Sequence, residues 1–378
     1  MPSLTLQLNA RLKKRRSNNS LRNLPELSEK IDFSSNDYLG LARNHELQKI
    51  NLEAFSSLKH GHGSGGSRLI SGNHRLFKKT ESFLAEFHQG ESALVFNSGY
   101  DANIGFYSTI PKRGDTILYD ELIHASIRDG IRLSYANGYS FLHNDLADLE
   151  MKLQNSKGNS FIAVESIYSM DGDEGPLKKI GKLAEKYKAY LIVDEAHSTG
   201  IYGEQGEGLT SSLNLNQKVF ARLHTFGKAM GCHGAVWIVN KKVREYLINY
   251  CRSFIYTTAL PPLALCSIYQ SYLFLQSHPE LIHKLQNNIQ YFNEKVHTLH
   301  IPGIIATNSP IQSVIIPGNE QVKAVSCTLQ TEGFLVVPIK HPTVKKGSER
   351  IRLCMHEFNT KREIDDLLSV LQKSLGSL

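Results

Sequence analysis

The chain is poor in the residues and segments that stabilise secreted, metal-bound or membrane proteins. Its 378 residues include five cysteines, an odd number at wide spacings with no Cys-x-x-Cys pair. This pattern argues against a disulfide framework and a zinc cluster, and it favours a reducing cytoplasm. The longest apolar runs, such as residues 93–96 and 334–337, have the length of a strand, whereas a membrane span needs about 20 apolar residues. We therefore predict a cytoplasmic protein without a membrane span.

Acidic residues are fewer than basic ones, 36 against 43, so the formal net charge is +7. The positive charge is scattered and no nucleic-acid-binding motif accompanies it, so we predict no nucleic-acid partner. One dense basic run, residues 13–16, lies in a segment with no acid before Glu26. It is compatible with a solvated helix face, a transit peptide or a surface that attracts an anionic substrate. We favour the helix face, because Leu8 and Leu12 recur at helical spacing.

The sequence does contain short apolar segments that alternate with helical ones from residue 90 to residue 240. Most of the predicted strands are continuously apolar, which is typical of strands covered on both faces in a parallel sheet. These predicted strands are residues 93–97, 116–119, 140–143, 161–165, 190–194, 219–225 and 235–239. With helical segments such as residues 125–136 and 178–188 between them, they predict an α/β fold with a doubly wound, mostly parallel sheet of seven strands. The link at residues 231–234 is too short for a parallel crossover, so residues 235–239 should run antiparallel to the preceding strand if the two pair.

The character of the sequence changes after Pro261 and Pro262. A helical region at residues 263–299 is followed by predicted strands at residues 313–316, 334–339 and 350–355 and by a closing helix at residues 361–375. We predict three parts: an N-terminal arm with a helix (residues 1–45), a large domain (residues 46–262) and a smaller C-terminal α+β domain (residues 263–378). The core of the small domain is expected to be shared with the arm.

Residues 61–66, Gly-His-Gly-Ser-Gly-Gly, satisfy a dinucleotide-binding pattern. That pattern has physical meaning only where it follows a strand and opens a helix. Here it follows a predicted helix at residues 46–58, and the residues after it do not begin one. We interpret the glycines as positions where the backbone closely approaches a ligand or a subunit partner. His60 and His62 have no accompanying carboxylate or cysteine ligands, so we predict no metal site.

Three residues that follow predicted strands carry the chemistry of the chain. The strand at residues 190–194 ends in Asp194, His197 lies three residues further on, and the strand at residues 219–225 leads to Lys228. Pyridoxal phosphate needs an anion that keeps its ring nitrogen protonated and an amine that holds its aldehyde as a Schiff base. Asp194 and Lys228 supply these groups, so the sequence favours pyridoxal 5'-phosphate as the cofactor. A helix N-cap would also use an aspartate here, but the accompanying His197 and Lys228 favour the cofactor role.

Seven motifs in chain order resemble those of the α-oxoamine synthases, which are fold-type-I pyridoxal-phosphate enzymes that join an amino acid to an acyl thioester with loss of CO2. The motifs are residues 33–40 (Phe-Ser-Ser-Asn-Asp-Tyr-Leu-Gly), 63–72 (Gly-Ser-Gly-Gly-Ser-Arg-Leu-Ile-Ser-Gly), 98–100 (Ser-Gly-Tyr), 124–126 (His-Ala-Ser), 169–173 (Ser-Met-Asp-Gly-Asp), 193–197 (Val-Asp-Glu-Ala-His) and 225–228 (Thr-Phe-Gly-Lys). One such motif can occur by chance, whereas seven in order are specific for the family. The resemblance extends from Phe33 to the C-terminus and implies a pyridoxal-phosphate-dependent acyltransferase.

The resemblance implies a role for each matching residue. Lys228 corresponds to the Schiff-base lysine that also moves the proton at the substrate's α-carbon, and Asp194 to the partner of the ring nitrogen. His197 corresponds to the histidine that bonds the cofactor's phenolic oxygen, and His124 to the one that stacks on the ring. The other expected cofactor contacts, among them the phosphate site, are Ser98, Gly99, Tyr100, Ser169, Thr225, Thr257 and Thr258. The two neighbouring threonines match a segment that reaches the neighbouring subunit's phosphate in this family, which implies a homodimer with shared active sites.

Three residues are expected to bind the substrates. Arg352 matches the family's arginine for the amino-acid carboxylate, to which a planar guanidinium can give two parallel charge-assisted bonds. Arg350 is the alternative if the alignment is displaced by two residues. Asn36 resembles a family residue near the same carboxylate, although it also suits a turn. Arg22, which precedes the matched motifs, resembles a family residue that holds the distal carboxylate of an acyl chain.

The resemblance implies two substrates, an amino acid (L-alanine) and an acyl thioester (pimeloyl-coenzyme A or a pimeloyl carrier protein). The glycine-rich residues 63–72 favour this pair, but the acyl pocket cannot be read from the sequence. Members that use glycine or serine with an acetyl, succinyl or palmitoyl thioester therefore stay open. An aminotransferase or amino-acid decarboxylase of the same fold is another alternative, and so is a non-catalytic binding protein. The intact Lys228, Asp194 and His197 argue against the last.

Overall fold

The computed structural model describes residues 3–24, 29–58 and 61–377, so His60 of the predicted histidine pair lies outside the described residues. Internal contacts divide the chain into two units. The larger unit holds residues 39–169 and 173–283, and the smaller one holds the described residues up to Tyr38, residues 170–172 and those from Lys284 onward. Residues 39–45 and 263–283, which the predicted boundaries assign to the arm and the small domain, group with the larger unit.

The predicted helices and strands appear in the predicted chain order, and the structure adds short elements between them. The helices are α1 (Leu4–Ser17), α2 (His45–Ser56), α3 (Arg75–Phe87), α4 (Gly99–Thr109), α5 (Ala125–Leu133), α6 (Leu146–Gln154), α7 (Leu177–Tyr187), α8 (Leu209–Ser212), α9 (Lys241–Tyr250), α10 (Arg252–Ile255), α11 (Pro262–Ser277), α12 (Glu280–Leu299), α13 (Asn319–Thr331) and α14 (Lys361–Gly376), with a 3-10 turn at Leu41–Arg43. The strands are β1 (Ile31–Asp32), β2 (Ser92–Phe96), β3 (Thr116–Asp120), β4 (Asn137–Phe141), β5 (Ser160–Glu165), β6 (Tyr190–Asp194), β7 (Ala221–Thr225), β8 (Ala235–Val239), β9 (Ile304–Ile305), β10 (Ile311–Ile315), β11 (Phe334–Leu335), β12 (Pro338–Ile339) and β13 (Arg350–Cys354).

The larger unit contains a seven-stranded sheet with the strand order β2-β8-β7-β6-β5-β3-β4. Strands β3 to β7 pair in parallel, and β8 pairs antiparallel with both β7 and β2. The predicted antiparallel direction of residues 235–239 is therefore confirmed. All five residues of β8 are buried, and so are five of the six in β5. Continuous burial explains why β8 is apolar throughout and β5 is apolar from Phe161 to Val164.

The edge strand β4 differs from its prediction. It covers Asn137–Phe141 rather than residues 140–143, and its first four residues are exposed. The prediction followed the apolar residues, but an edge strand with a solvated face needs few of them. As a result His143 lies beyond the strand, where its side chain is available for polar contacts.

Helix α4 is held on the sheet by aromatic packing. Phe106 stacks on Trp237 of β8 with a ring-centroid distance of 4.2 Å, and both side chains are buried. The indole Nε1–H of Trp237 donates a hydrogen bond of 3.0 Å to the Ala102 carbonyl, which satisfies the only polar group of that buried ring. These contacts fix the first turn of α4, where the predicted phosphate segment begins.

The glycine-rich residues 61–72 form bends and a turn, and α3 begins only at Arg75, so they do not open a helix. Ser64 Oγ donates a hydrogen bond of 2.7 Å to the Leu260 carbonyl, and the Ala259 N–H donates one of 3.0 Å to the Gly66 carbonyl. A Cβ on Gly72 would lie 2.4 Å from the Gly66 oxygen and 2.7 Å from Ala259 Cβ. Packing against residues 259–260 of the same chain therefore accounts for Gly72, and a ligand or subunit contact stays a prediction.

The smaller unit contains a four-stranded antiparallel sheet in the order β12-β13-β10-β9 and a two-stranded parallel pair of β1 with β11. The predicted strand at residues 334–339 is thus two short strands that belong to different sheets. The helical region predicted at residues 263–299 is likewise two helices, which Pro279 separates. Proline has no N–H and its ring blocks the preceding turn, so it follows the end of α11 and precedes α12.

The predicted N-terminal helix is confirmed as α1, and the Ser3 side chain caps it by accepting from the Leu6 N–H. None of its residues is buried, and Lys14, Arg15 and Arg16 are solvated in its last turn. Positive charge at that end is favourable because the helix dipole is negative there. Among the described residues, no helix combines the length and the hydropathy that crossing a membrane would require.

Replacing Gly231 by alanine should destabilise the larger unit. Gly231 has a φ of +63°, and an added Cβ would lie 2.4 Å from the Ala42 nitrogen and 2.6 Å from the Leu41 carbonyl carbon, both backbone atoms. We expect a loss of about 1–3 kcal/mol in the free energy of unfolding, measured by urea denaturation. The matched control is Gly181→Ala in α7, where a Cβ would meet no atom within 4 Å. It should gain about 0.5–1 kcal/mol from helix propensity, and equal effects of the two changes would contradict the packing argument.

Candidate active site

The predicted catalytic residues of the larger unit follow the carboxyl ends of neighbouring parallel strands. Glu165 at the end of β5 is in register with Asp194 at the end of β6, and Asp194 is in register with Leu223 of β7. Lys228 follows the end of β7 by three residues. Parallel strands end at the same edge of a sheet, so residues separated by tens of positions in sequence are brought to one place.

Asp194 is a buried carboxylate whose two oxygens both accept hydrogen bonds. It is 6% exposed. Oδ1 accepts from the Ala196 N–H at 3.0 Å, and Oδ2 accepts from the Asn103 side-chain Nδ2 at 3.0 Å. His197, three residues further on, is 5% exposed. Two N–H donors hold the carboxylate in one orientation, as a fixed partner for a ring nitrogen requires.

His124 forms the N-cap of α5, and its ring is anchored on one side. The Ser126 N–H donates to His124 Nδ1 at 3.2 Å, and Ser126 Oγ lies 2.7 Å from the same nitrogen. The His124 N–H in turn donates to Glu165 Oε1 at 2.6 Å. The residue as a whole remains exposed although one ring nitrogen is held by Ser126. This geometry suits a ring that stacks on a flat ligand.

The charges around this edge of the sheet influence one another. Desolvation lowers the pKa of His124, the negative charge of Asp194 opposes this, and the positive charge of Lys228 reinforces it. Burial raises the pKa of Glu165 well above its usual value, Asp194 raises it further, and Lys228 lowers it. The Lys228 ammonium is thus close enough to act on both groups. The structure therefore brings Lys228, Asp194 and His124 of the predicted set within electrostatic reach of one another.

The predicted phosphate segment lies at the start of α4. Ser98 is the N-cap, and its Oγ accepts from the Asp101 N–H at 3.0 Å. A Cβ on Gly99 would lie 2.7 Å from Thr225 Cγ2, so only glycine allows this approach of α4 to β7. Tyr100 is 45% exposed and its hydroxyl donates to Asp129 at 2.5 Å. The N-terminal N–H groups of an 11-residue helix provide a favourable place for a phosphate.

Thr257 and Thr258, two further predicted contacts, lie beside the Ser98 segment in the same chain. Asn97, which precedes Ser98, donates from Nδ2 to Thr257 Oγ1 at 2.9 Å and to the Thr258 carbonyl at 2.8 Å. The Thr225 hydroxyl is a buried oxygen without a hydrogen-bond partner among the described residues. Ser169 begins the turn of the motif at residues 169–173. The contact of Thr257 and Thr258 with a neighbouring subunit stays a prediction.

His143 ties that motif to the sheet. Its Nδ1 lies 2.9 Å from Asp120 Oδ1, and its Nε2 lies 2.7 Å from Asp173 Oδ2. Burial alone would lower the pKa of His143, but the bonds to the two carboxylates raise it to about 10. His143 is therefore a cation at neutral pH that holds Asp173, the last residue of the motif, against the end of β3.

Arg352 lies on β13 in the smaller unit and is 9% exposed. Its NH2 donates to Asn36 Oδ1 at 2.9 Å and to the Tyr38 hydroxyl at 3.3 Å, and its NH1 donates to Cys354 Sγ at 3.1 Å. Tyr38 also donates to Asn36 Oδ1 at 3.0 Å. The structure thus brings together Arg352 and Asn36, the two residues predicted to lie at the amino-acid carboxylate. It also adds Tyr38, which the sequence analysis did not assign to the site.

The alternative arginine has a different environment. Arg350 forms an ion pair with Asp171, and its side chain is 8% exposed. A carboxylate of the protein already neutralises that guanidinium, whereas Arg352 contacts the hydroxyl, amide and thiol described above. Which of the two arginines binds the amino-acid carboxylate stays a prediction. Arg22 is exposed and donates from NH2 to Thr343 Oγ1 at 2.9 Å, and its contact with an acyl carboxylate stays a prediction.

The model of the family "aminotransferase class I and II" matches residues 28–371. The chain belongs to this family. Among curated family relatives, the 8-amino-7-oxononanoate synthase of Emericella nidulans is 40% identical over an alignment of 369 residues. The alignment covers 91% of this chain and 89% of that protein. The 8-amino-7-oxononanoate synthase of Lysinibacillus sphaericus is also 40% identical, over 90% of this chain and 87% of that one.

Solved structures of the family share the fold over nearly the whole chain. The 8-amino-7-oxononanoate synthase of Francisella tularensis has a TM-score of 0.81 at 32% identity, covering 92% of this chain and 98% of that one. The larger unit, with its mostly parallel seven-stranded sheet, therefore has the α/β architecture of the fold-type-I enzymes, as predicted.

Sequence reasoning missed the residues that support the predicted side chains. Asn103, on the second turn of α4, binds Asp194 from a position 91 residues earlier in the chain. Glu165 and His143 were assigned no role before the structure was known, since a buried carboxylate at a strand end and a histidine after an edge strand carry no motif. Asn103 lies three residues after the Ser-Gly-Tyr motif, and that proximity is its only sequence signal.

The Asp120–His143–Asp173 contact should stabilise the protein in a pH-dependent way. The pKa of His143 is raised from 6.5 to about 10 on folding, so its stabilising contribution is complete below the unfolded pKa and is lost as the pH rises through about 10. We expect wild type to exceed His143→Gln in urea-unfolding midpoint at about pH 6, and the difference to shrink by about pH 10.5. His283→Gln, at an exposed histidine, is the control and should show no such trend. A difference between wild type and His143→Gln that is independent of pH would contradict the charge assignment.

Proposed function

We propose that this protein is a pyridoxal-phosphate-dependent acyltransferase that condenses L-alanine with a pimeloyl thioester. The products are 8-amino-7-oxononanoate, CO2 and the free thiol, and the reaction is a step of biotin biosynthesis. The new carbon–carbon bond joins the α-carbon of alanine to the thioester carbonyl carbon. The thiol leaves from that carbon, and the alanine carboxyl group leaves as CO2.

One observation carries the proposal more than any other. Relatives 40% identical over about nine tenths of the chain are 8-amino-7-oxononanoate synthases, and Lys228 and Asp194 stand in motifs that resemble those of the α-oxoamine synthases. At that identity over that length the fold and the cofactor chemistry are shared. Lys228 supplies the amine and Asp194 the buried carboxylate that such chemistry needs.

The residues present fit pyridoxal phosphate. The buried Asp194 carboxylate is oriented by two donors, His124 is exposed, and the buried Thr225 hydroxyl has no hydrogen-bond partner among the described residues. The helix N-terminus at Ser98 and Gly99 suits a dianionic phosphate. A solved structure of serine palmitoyltransferase (SPT) with PLP has a TM-score of 0.91 at 25% identity, covering 100% of this chain and 99% of that one. These features together support the cofactor assignment.

Each residue then has a defined task. Asp194 pairs with the ring nitrogen and keeps its proton in place, while His197 bonds the phenolic oxygen. When bound, pyridoxal phosphate withdraws electrons from the α-carbon of the amino acid, which makes its proton acidic. Lys228 would hold the cofactor aldehyde and would move the proton at the α-carbon, for which its amine must be unprotonated.

The substrates are assigned to residues of the smaller unit. Arg352 binds the carboxylate of the amino acid, and the Asn36 and Tyr38 oxygens hold the guanidinium at a fixed angle. Arg22 is assigned to the distal carboxylate of the pimeloyl chain. We further propose that the protein acts in the cytoplasm as a homodimer, with Thr257 and Thr258 reaching the phosphate of the neighbouring subunit.

A substrate panel tests the reaction. We expect thiol release to be fastest with L-alanine and a pimeloyl thioester, when alanine, glycine and serine are each combined with pimeloyl, acetyl, succinyl and palmitoyl thioesters. Lys228→Ala should abolish both turnover and the absorbance of the lysine-bound cofactor, whereas Lys242→Ala, at a side chain 93% exposed, should retain both. Turnover by Lys228→Ala would refute the assignment of the lysine.

The outcome of the panel also separates the related activities. Preference for glycine with an acetyl or succinyl thioester would indicate glycine C-acetyltransferase or 5-aminolevulinate synthase. Preference for serine with a palmitoyl thioester would indicate serine palmitoyltransferase. Exchange of amino groups with a 2-oxo acid in the absence of any thioester would indicate an aminotransferase.

Arg352→Lys should raise the KM for alanine by about tenfold or more, because a lysine cannot give the two parallel bonds of a guanidinium. The KM for the thioester should change little, since that substrate lacks the amino-acid carboxylate. Steady-state kinetics with each substrate varied in turn measures both values. Arg362→Lys, at a side chain 92% exposed on α14, is the control. An unchanged KM for alanine in Arg352→Lys would move the carboxylate site elsewhere.

A further inference from the structure

Four polar side chains of the larger unit form one continuous hydrogen-bonded chain. Asp194 Oδ2 accepts from Asn103 Nδ2 at 3.0 Å, Asn103 Nδ2 also donates to Ser126 Oγ at 3.0 Å, and Ser126 Oγ lies 2.7 Å from His124 Nδ1. Asp194, Asn103 and Ser126 are 6%, 2% and 0% exposed. Because water cannot replace these bonds, each group in the chain must be satisfied by its neighbours.

The carboxylate determines the direction of every bond in the chain. An ionised carboxylate can only accept, so the Asn103 amide must turn its NH2 group toward Asp194. The second hydrogen of that NH2 group points to Ser126 Oγ, which therefore accepts. The Ser126 hydroxyl hydrogen is then left to donate to His124 Nδ1, to which the Ser126 backbone N–H also donates at 3.2 Å. Two donors on one ring nitrogen require that nitrogen to carry no proton.

The opposite orientation of the Asn103 amide is unfavourable. Turning it over would place Oδ1 against an oxygen of Asp194, two acceptors with no hydrogen between them. In the observed orientation Oδ1 has no hydrogen-bond partner although it is buried. The NH2 group donates to both Asp194 and Ser126 at the cost of an unsatisfied Oδ1. The carboxylate therefore determines the orientation of the Asn103 amide.

We propose that Asn103 and Ser126 are positioning residues that hold His124 in the neutral tautomer with its proton on Nε2, under the control of the Asp194 carboxylate. The same charge that is assigned to the cofactor's ring nitrogen thereby determines which ring nitrogen of His124 can donate. The consequence for catalysis rests on the proposed function, because it assumes that His124 faces the cofactor. The tautomer itself does not rest on that function and is measured without substrate.

The test is the tautomer of His124 in the full-length protein labelled with 15N-histidine, recorded with and without added pyridoxal phosphate. The wild type should show a protonated Nε2 and an unprotonated Nδ1 for the signal that disappears in His124→Gln. Ser126→Ala removes one of the two donors to Nδ1 and should shift the tautomer ratio about fivefold toward the Nδ1–H form, as expected for one neutral hydrogen bond. Ser108→Ala, on the same helix as Asn103 with a hydroxyl bonded only to the Ile104 and Gly105 carbonyls, is the control.

Two further variants test whether Asp194 controls the His124 tautomer through Asn103 and Ser126. In Asp194→Asn the new side-chain oxygen should still accept from the Ala196 N–H, so the new NH2 group faces Asn103. The Asn103 amide should then rotate by 180° and present Oδ1 to that NH2 group. The Ser126 hydroxyl then donates to Asn103 Oδ1 instead of His124, and the tautomer ratio should move as in Ser126→Ala although residue 194 does not touch the ring. Asn103→Ala should also weaken the preference, with thermal unfolding as the check that each variant folds.

The outcomes separate the two proposals. A wild-type His124 with its proton on Nδ1, or a Ser126→Ala protein with the wild-type ratio, would overturn the positioning role whatever the enzyme catalyses. Loss of acyl transfer in the substrate panel with the predicted tautomer intact would instead refute the proposed function and leave the positioning of His124 in place.

Discussion

Parallel pairing of β5, β6 and β7 is the constraint on which the rest of the site depends. Register places Glu165 beside Asp194, and Asp194 beside Leu223, so the segments that follow these strands leave the sheet at the same edge. In parallel sheets of this kind the crossovers are right-handed, helices cover both faces, and ligands bind at the carboxyl ends of the strands. The candidate cofactor site exists because the strand ends are aligned, before any particular side chain is considered.

The core of the larger unit and its polar site are linked through α4. Phe106 and Trp237 pack the helix on the sheet, and the same helix carries Ser98 at its N-cap and Asn103 on its second turn. An apolar contact therefore sets where the predicted phosphate segment and Asn103, the partner of the Asp194 carboxylate, lie. Charges buried near the site are acceptable because each is paired or hydrogen-bonded, as His143 is by two carboxylates.

Much of this organisation could be predicted from the sequence, because it is carried by local patterns. Continuous apolar runs revealed the buried strands, and the short link at residues 231–234 predicted the reversal at β8. The pattern failed where tertiary context replaces the local signal. The edge strand β4 has a solvated face and was placed three residues too late. The break between α11 and α12 is a different case, because Pro279 is a local signal that the helical pattern of residues 263–299 outweighed.

The sequence by itself determined the order of the elements and the chemical groups of the candidate site, since Lys228, Asp194 and His197 stand in recognisable motifs at strand ends. Only the tertiary structure decided how those groups are held. Asn103 reaches Asp194 across 91 positions, and Arg352 reaches Asn36 across 316, distances over which no sequence pattern carries information. A hydrogen bond depends on where two atoms lie in space. That placement is fixed by the packing of helices on the sheet, which no single segment of the chain encodes.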